Sequence, residues 1–116
     1  MRFFTFLFLL LSICSLAQKK NKYDTFFEKG NRNQSASYAE TIAYYKLLAD
    51  DFPSIEMQKM GLTDSGEPLH MVVFNPEKQF DFGVIQKNKA VVLLNNGIHA
   101  GEPDGKDAGL MLIRDI

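Results

Sequence analysis

The chain has little cysteine: Cys14 is the only one among 116 residues. It lies in an apolar N-terminal stretch that we expect to be removed, which would leave the mature protein without a thiol. Disulfides and thiolate metal sites are then excluded, and any metal must take nitrogen and oxygen ligands. A lipoprotein anchor at Cys14 is disfavoured, because the preceding Ile13 is bulky where a small residue is expected.

The chain also lacks an excess of charge of either sign, since 13 basic and 14 acidic residues give a formal net charge of −1. No basic stripe is present that would release counterions from a phosphate backbone. The composition therefore argues against nucleic acid as a partner. No internal repeat or low-complexity tract is present either.

Long apolar runs are missing as well, because a membrane-spanning helix needs about 20 apolar residues and no run reaches that length. The longest follows Arg2 and is almost wholly apolar from Phe3 to Leu11, after which Ser15-Leu16-Ala17 supplies small residues around a cleavage point. This pattern is typical of a signal peptide over residues 1–17. We expect a secreted or periplasmic protein with no stable membrane span after cleavage.

Two further regions follow the leader. Residues 18–36 are polar and form a linker or strap in this interpretation, with Tyr23, Phe26 and Phe27 available for docking. Residues 37–116 carry the regular patterns of a folded domain. The 99 residues that follow the leader are enough for one modest hydrophobic core and do not favour two.

The clearest helix signal begins at Ser37, where Ser37 and Glu40 form a capping-box pattern. Apolar residues then recur at helical spacing up to Phe52. The helix is expected to stop there, because a residue before proline is pushed out of helical geometry and Pro53 follows.

Short strands are predicted at Ile55–Met60 and Pro68–Phe74, joined as a hairpin by a loop rich in turn-forming residues. His70 in the second run reads as an ordinary strand histidine. Residues 75–88 read as a loop, with a short strand around Phe82–Ile85.

Residues Ala90–Leu94 are five consecutive apolar residues without alternation. This pattern favours a strand buried on both faces, as in a parallel or mixed sheet covered by helices. A helix pattern over 107–116 follows, with Asp104 or Gly105 as its start. The predicted fold class is α/β, a mixed sheet covered by helices. The chain stops in mid-pattern, so we expect only the N-terminal part of such a domain over 37–116.

Candidate metal ligands stand between that strand and that helix. His99 and Glu102 are three residues apart in a turn containing Gly97 and Gly101, whose freedom suits a sharp turn. Loops at the carboxyl ends of strands are where α/β folds bind ligands. An imidazole and a carboxylate are both good zinc ligands, but a catalytic zinc normally has three from the protein.

The stretch from Asn96 to Pro103 resembles the first metal-binding motif of the M14 zinc carboxypeptidase family, the carboxypeptidase A type. Residues 38–73 are similar to the family's N-terminal entry, although Glu67-Pro68 stands where many members have an arginine. The resemblance implies that His99 and Glu102 are the first two Zn²⁺ ligands and that substrates are peptides or proteins. It also implies a second histidine ligand and a catalytic glutamate that have no counterpart here. No catalytic residue is therefore assigned, and we expect the chain alone to be inactive.

Two alternatives remain open at this stage. One is a zinc-dependent amidohydrolase of the succinylglutamate desuccinylase and aspartoacylase type, which shares an H-x-x-E turn. The other is a non-catalytic secreted remnant or binding module, in which His99 and Glu102 only stabilise a turn.

Overall fold

The computed structural model describes residues 21–99 and 101–116, and the leader predicted at 1–17 lies outside that range. Within it the chain is a small α/β structure with one two-stranded antiparallel sheet. Its elements in order are α1 (Phe26–Lys29), α2 (Tyr38–Asp51), β1 (Ile55–Leu62), β2 (Pro68–Phe74), α3 (Phe82–Ile85) and α4 (Pro103–Asp115). No helix in the described ranges is both long and apolar enough to cross a membrane.

Helix α2 forms where the capping box predicts it. The Glu40 N–H donates to Ser37 Oγ at 3.3 Å, and the Ser37 N–H donates to Glu40 Oε2 at 2.8 Å. Two of the unpaired donors at the helix start are satisfied in this way. The helix ends at Phe52, whose N–H donates to the carbonyl of Leu48 at 2.8 Å.

The predicted hairpin is confirmed, and β1 extends two residues further than expected, to Leu62. Ile55 lies opposite Phe74 and Lys59 lies opposite His70, with one irregularity in the register between Lys59 and Gly61. The Thr63 N–H donates to the carbonyl of Glu67 at 2.7 Å and closes the loop.

A small core forms where α2 contacts both β1 and α4. Leu48 of α2, Ile55 of β1 and Leu110 of α4 are all buried. Burying side chains of this size stabilises the folded state by roughly 1.5–3 kcal/mol each relative to exposure. These contacts fix α4 against α2 and thereby fix the start of α4, where the candidate ligands lie.

Residues 21–36, which we call the strap, pack along α4 and α2. Arg114 Nη1 of α4 donates to Glu28 Oε2 at 2.5 Å and to the carbonyl of Tyr23 at 3.2 Å. The Tyr44 hydroxyl of α2 donates to the same carbonyl at 2.6 Å. Thr25 of the strap is fully buried.

Two sequence predictions are wrong in the described chain. Phe82–Ile85 is a helical turn, because Asp81 Oδ1 caps it by accepting from the Gly83 N–H at 2.7 Å. Residues 90–94 form no strand, and the exposed fractions of Val91, Val92, Leu93 and Leu94 are between 53% and 80%. A strand needs a neighbouring strand with which to form hydrogen bonds. Among the described residues β2 pairs with β1 alone, so no strand is paired with residues 90–94.

Candidate metal centre

A turn carries the chain from the extended segment 90–94 into α4. Gly97 and Gly101 have φ angles of +66° and +86°, in the left-handed region that side chains with a Cβ avoid. The Glu102 N–H lies 3.4 Å from the carbonyl of His99 and donates to it, which reverses the chain direction. The glycines that the sequence singled out thus bend the chain at both sides of His99.

Glu102 is the residue that immediately precedes α4, and Pro103 occupies the first helical position. Proline suits that position because its missing N–H would have no partner there. The Glu102 side chain makes no capping hydrogen bond, so its carboxylate is free to act elsewhere. A negative charge at a helix N-terminus is favoured by the helix dipole.

His99 and Glu102 point toward each other across the turn. His99 Nδ1 lies 3.0 Å from Glu102 Oε2, and the two side chains are 68% and 67% exposed. Two ligands about 2.1 Å from a tetrahedral zinc ion lie about 3.4 Å apart. At 3.0 Å the pair is joined by a hydrogen bond, which a cation between the two atoms would have to replace. The nitrogen and oxygen donors match the chemistry of zinc.

The pair is not joined by further ligands in the part of the chain that the structure describes. No group of three or more histidine, cysteine, aspartate or glutamate side chains suited to a metal occurs there. His70 is on β2, in the hairpin opposite Lys59, and is not part of such a group. The structure brings His99 and Glu102 together, and their role as ligands stays a prediction.

One neighbour of the turn was missed by sequence reasoning. The Asn96 side chain lies on α4 beside Gly109, at a point where the helix carries no side chain. A glycine inside a helical pattern costs about 1 kcal/mol relative to alanine and often marks a close approach of another group. That signal was available at Gly109, but the group that approaches it is visible only in the folded chain.

Comparison with models of known protein families gives a match. The family model described as zinc carboxypeptidase, of the M14 peptidases, matches residues 41–116, from within α2 to the end of α4. Neither the curated proteins nor the solved structures contain a match to this chain. The matched region is about two thirds of the sequence and includes the whole turn with His99 and Glu102. The chain therefore belongs to the M14 zinc carboxypeptidase family, whose members are zinc metallopeptidases that act on peptides.

Proposed function

We propose that this protein is a secreted zinc metallocarboxypeptidase and that His99 and Glu102 supply two ligands of its metal. The observation that supports the proposal most is the 3.0 Å approach of His99 Nδ1 to Glu102 Oε2, in a glycine turn at the start of a helix. Family membership makes zinc the expected ion. It also favours the peptidase over an amidohydrolase of the desuccinylase type.

Each residue of the turn has a defined task in this proposal. The exposed His99 imidazole binds through Nδ1, and Glu102 binds through the carboxylate that no capping bond occupies. When bound, zinc lowers the pKa of a water molecule and polarises a substrate carbonyl. The exposure of both side chains leaves room for a peptide and for additional ligands.

Two ligands are too few for hydrolysis by the 116-residue chain itself. Catalytic zinc sites use three protein ligands, and a general base must lie within hydrogen-bond reach of the water. We propose that the isolated chain binds Zn²⁺ weakly and does not cleave peptides. Turnover of a peptide by the purified chain, sensitive to a chelator, would refute this statement.

Zinc titration followed by NMR of the histidine side chains tests the ligand assignment. His99→Ala and Glu102→Ala are each expected to weaken binding at least tenfold, the lower end of the loss seen even for outer-shell partners of a metal site. His70→Ala is the matched control, since it removes the other histidine of the chain, and it should leave the affinity unchanged. Equal affinity in the wild type and the His99→Ala variant would overturn the assignment.

Expression of the gene in a secreting host tests the leader and the reaction class together. The proposal expects a secreted product that begins at Gln18 and retains no membrane anchor. Should the reading frame continue beyond Ile116, the longer product should release C-terminal residues from peptides in preference to N-acyl amino acids. The opposite preference would favour the amidohydrolase, and a product retained with residues 1–17 would exclude secretion by cleavage.

A further inference from the structure

We infer that Asn96 and Gly109 form a seat that positions the metal-binding turn on α4. In this arrangement the Asn96 amide fills the space where a side chain at position 109 would stand. Asn96 is then a positioning residue and not a ligand. The inference deepens the proposed function and rests on it for the identity of the metal, although the contact itself does not depend on any metal.

The geometry at Gly109 carries the inference. A Cβ placed there would fall well inside contact distance of Asn96 Nδ2, and it would lie 3.4 Å from both Asn96 Cγ and Tyr45 Oη. Gly109 is buried within α4. Glycine is therefore required at this position as long as the Asn96 amide stays where it is.

Gly105, one turn earlier on the same helix, gives the contrast. A Cβ there would lie 3.7 Å from Asn96 Oδ1 and 3.9 Å from the Gly97 nitrogen, which are ordinary contact distances. Alanine fits at Gly105 and should favour the helix by about 1 kcal/mol. Of these two helical glycines, only Gly109 is crowded by the turn, and a Cβ there would push the end of the Asn96 side chain aside.

The contact restrains the metal ligands because of where it lies along the chain. Helix α4 holds the end of the turn covalently, through Glu102, the residue immediately before its first turn. The Asn96 amide on Gly109 holds the beginning of the turn to the same helix. His99 lies between these two points, so the separation of its imidazole from the Glu102 carboxylate depends on both.

A competing explanation is that Gly109 serves only the packing of α2 on α4, since Tyr45 Oη lies equally close to the hypothetical Cβ. The two explanations differ in what removes the crowding. If the seat is the reason, truncating Asn96 makes alanine at 109 harmless to the turn. If helix packing is the reason, truncating Asn96 does not help, whereas Tyr45→Phe does.

The test is a double-mutant cycle in the 116-residue chain, with Zn²⁺ affinity and the amide shifts of residues 96–99 and 101–102 as readouts. Gly109→Ala should weaken Zn²⁺ binding about tenfold, as expected for a residue that orients metal ligands. Gly105→Ala should leave affinity unchanged. The Asn96→Ala/Gly109→Ala double variant should bind no more weakly than Asn96→Ala alone, because the two changes disrupt one contact.

Fully additive losses in the cycle, or rescue of Gly109→Ala by Tyr45→Phe, would overturn the inference. If Gly109→Ala does not fold, Asn96→Ala alone decides, since it must displace the turn amides and weaken binding while the melting temperature stays near that of the wild type. A wild type that binds no Zn²⁺ would refute the proposed function instead. The amide shifts of the metal-free variants would then still test the seat, and equal shifts in Gly109→Ala and Gly105→Ala would reject it.

Discussion

At the scale of single residues, Glu28 joins the strap to the end of α4. Its Oε2 accepts from the Thr25 N–H at 2.7 Å and from Arg114 Nη1 at 2.5 Å. Partial burial acts to raise the pKa of Glu28, but the hydrogen bonds from Arg114 and Thr25 outweigh it, and the pKa lies below its usual value. The folded state therefore prefers the ionised carboxylate.

This preference predicts a loss of stability in acid. A lowered folded-state pKa stabilises the protein above the unfolded pKa of about 4.3, and that stabilisation is lost as the pH falls through the folded value. Glu28→Gln should lower the free energy of unfolding by about 1 kcal/mol at pH 7. Its curve should converge with that of the wild type as the pH falls through the folded-state pKa of Glu28.

Urea unfolding between pH 3 and pH 7 checks this prediction. Asp50→Asn is the matched control, because Asp50 pairs with Lys46 on the exposed surface of α2 and such pairs contribute little. Parallel curves for the wild type and Glu28→Gln would show that the charge of Glu28 does not stabilise the fold.

At the scale of elements, the sequence predicts what is decided locally. The capping box at Ser37 and the stop before Pro53 define α2, and turn-forming residues define the hairpin. The short helix at Phe82–Ile85 was missed, because a single turn carries too little periodicity to be told from a strand. Residues 90–94 were wrongly predicted to form a strand. An apolar run indicates that the segment favours burial, but it does not indicate which neighbouring element would cover it.

The cap of α2 gives the element-scale prediction. Ser37→Ala removes the acceptor of the Glu40 N–H and should lower the free energy of unfolding by about 1 kcal/mol. Ser37→Gly is the control at the same position and should cost only a few tenths of that, since water can reach the freed N–H. Thermal unfolding followed by circular dichroism measures both. Unchanged stability in Ser37→Ala would mean that the hydroxyl does not cap the helix.

At the scale of the whole molecule, apolar surface is left uncovered. Val92 and Leu93 are 80% and 79% exposed, and residues 90–96 line a groove of about 830 Å³ together with β2 and α4. Large exposed apolar patches promote association. The site could be predicted from the sequence only in part. The spacing of His99 and Glu102 indicated that their side chains meet, but the contact of Asn96 with Gly109 is visible only once α4 is packed.

We therefore expect the isolated chain to self-associate as its concentration rises. Val92→Lys/Leu93→Lys should shift it toward monomer without lowering the melting temperature, because neither side chain contributes much to the core. Light scattering after size-exclusion chromatography measures the association. Leu62→Lys, at an exposed position of the hairpin, is the control and should leave the association unchanged. A wild type that stays monomeric at every concentration would contradict the prediction.

Arg114 has a consequence for the order in which the molecule assembles. Its bond to Glu28 joins residues 86 positions apart, whereas the hairpin and α2 form from near neighbours. Closing a loop of that length costs roughly 4 kcal/mol of chain entropy, counted as (3/2)RT ln n. We therefore expect the strap to dock after α4 has packed on α2, which would leave the half-buried Phe26 and Phe27 more exposed in a partly folded chain.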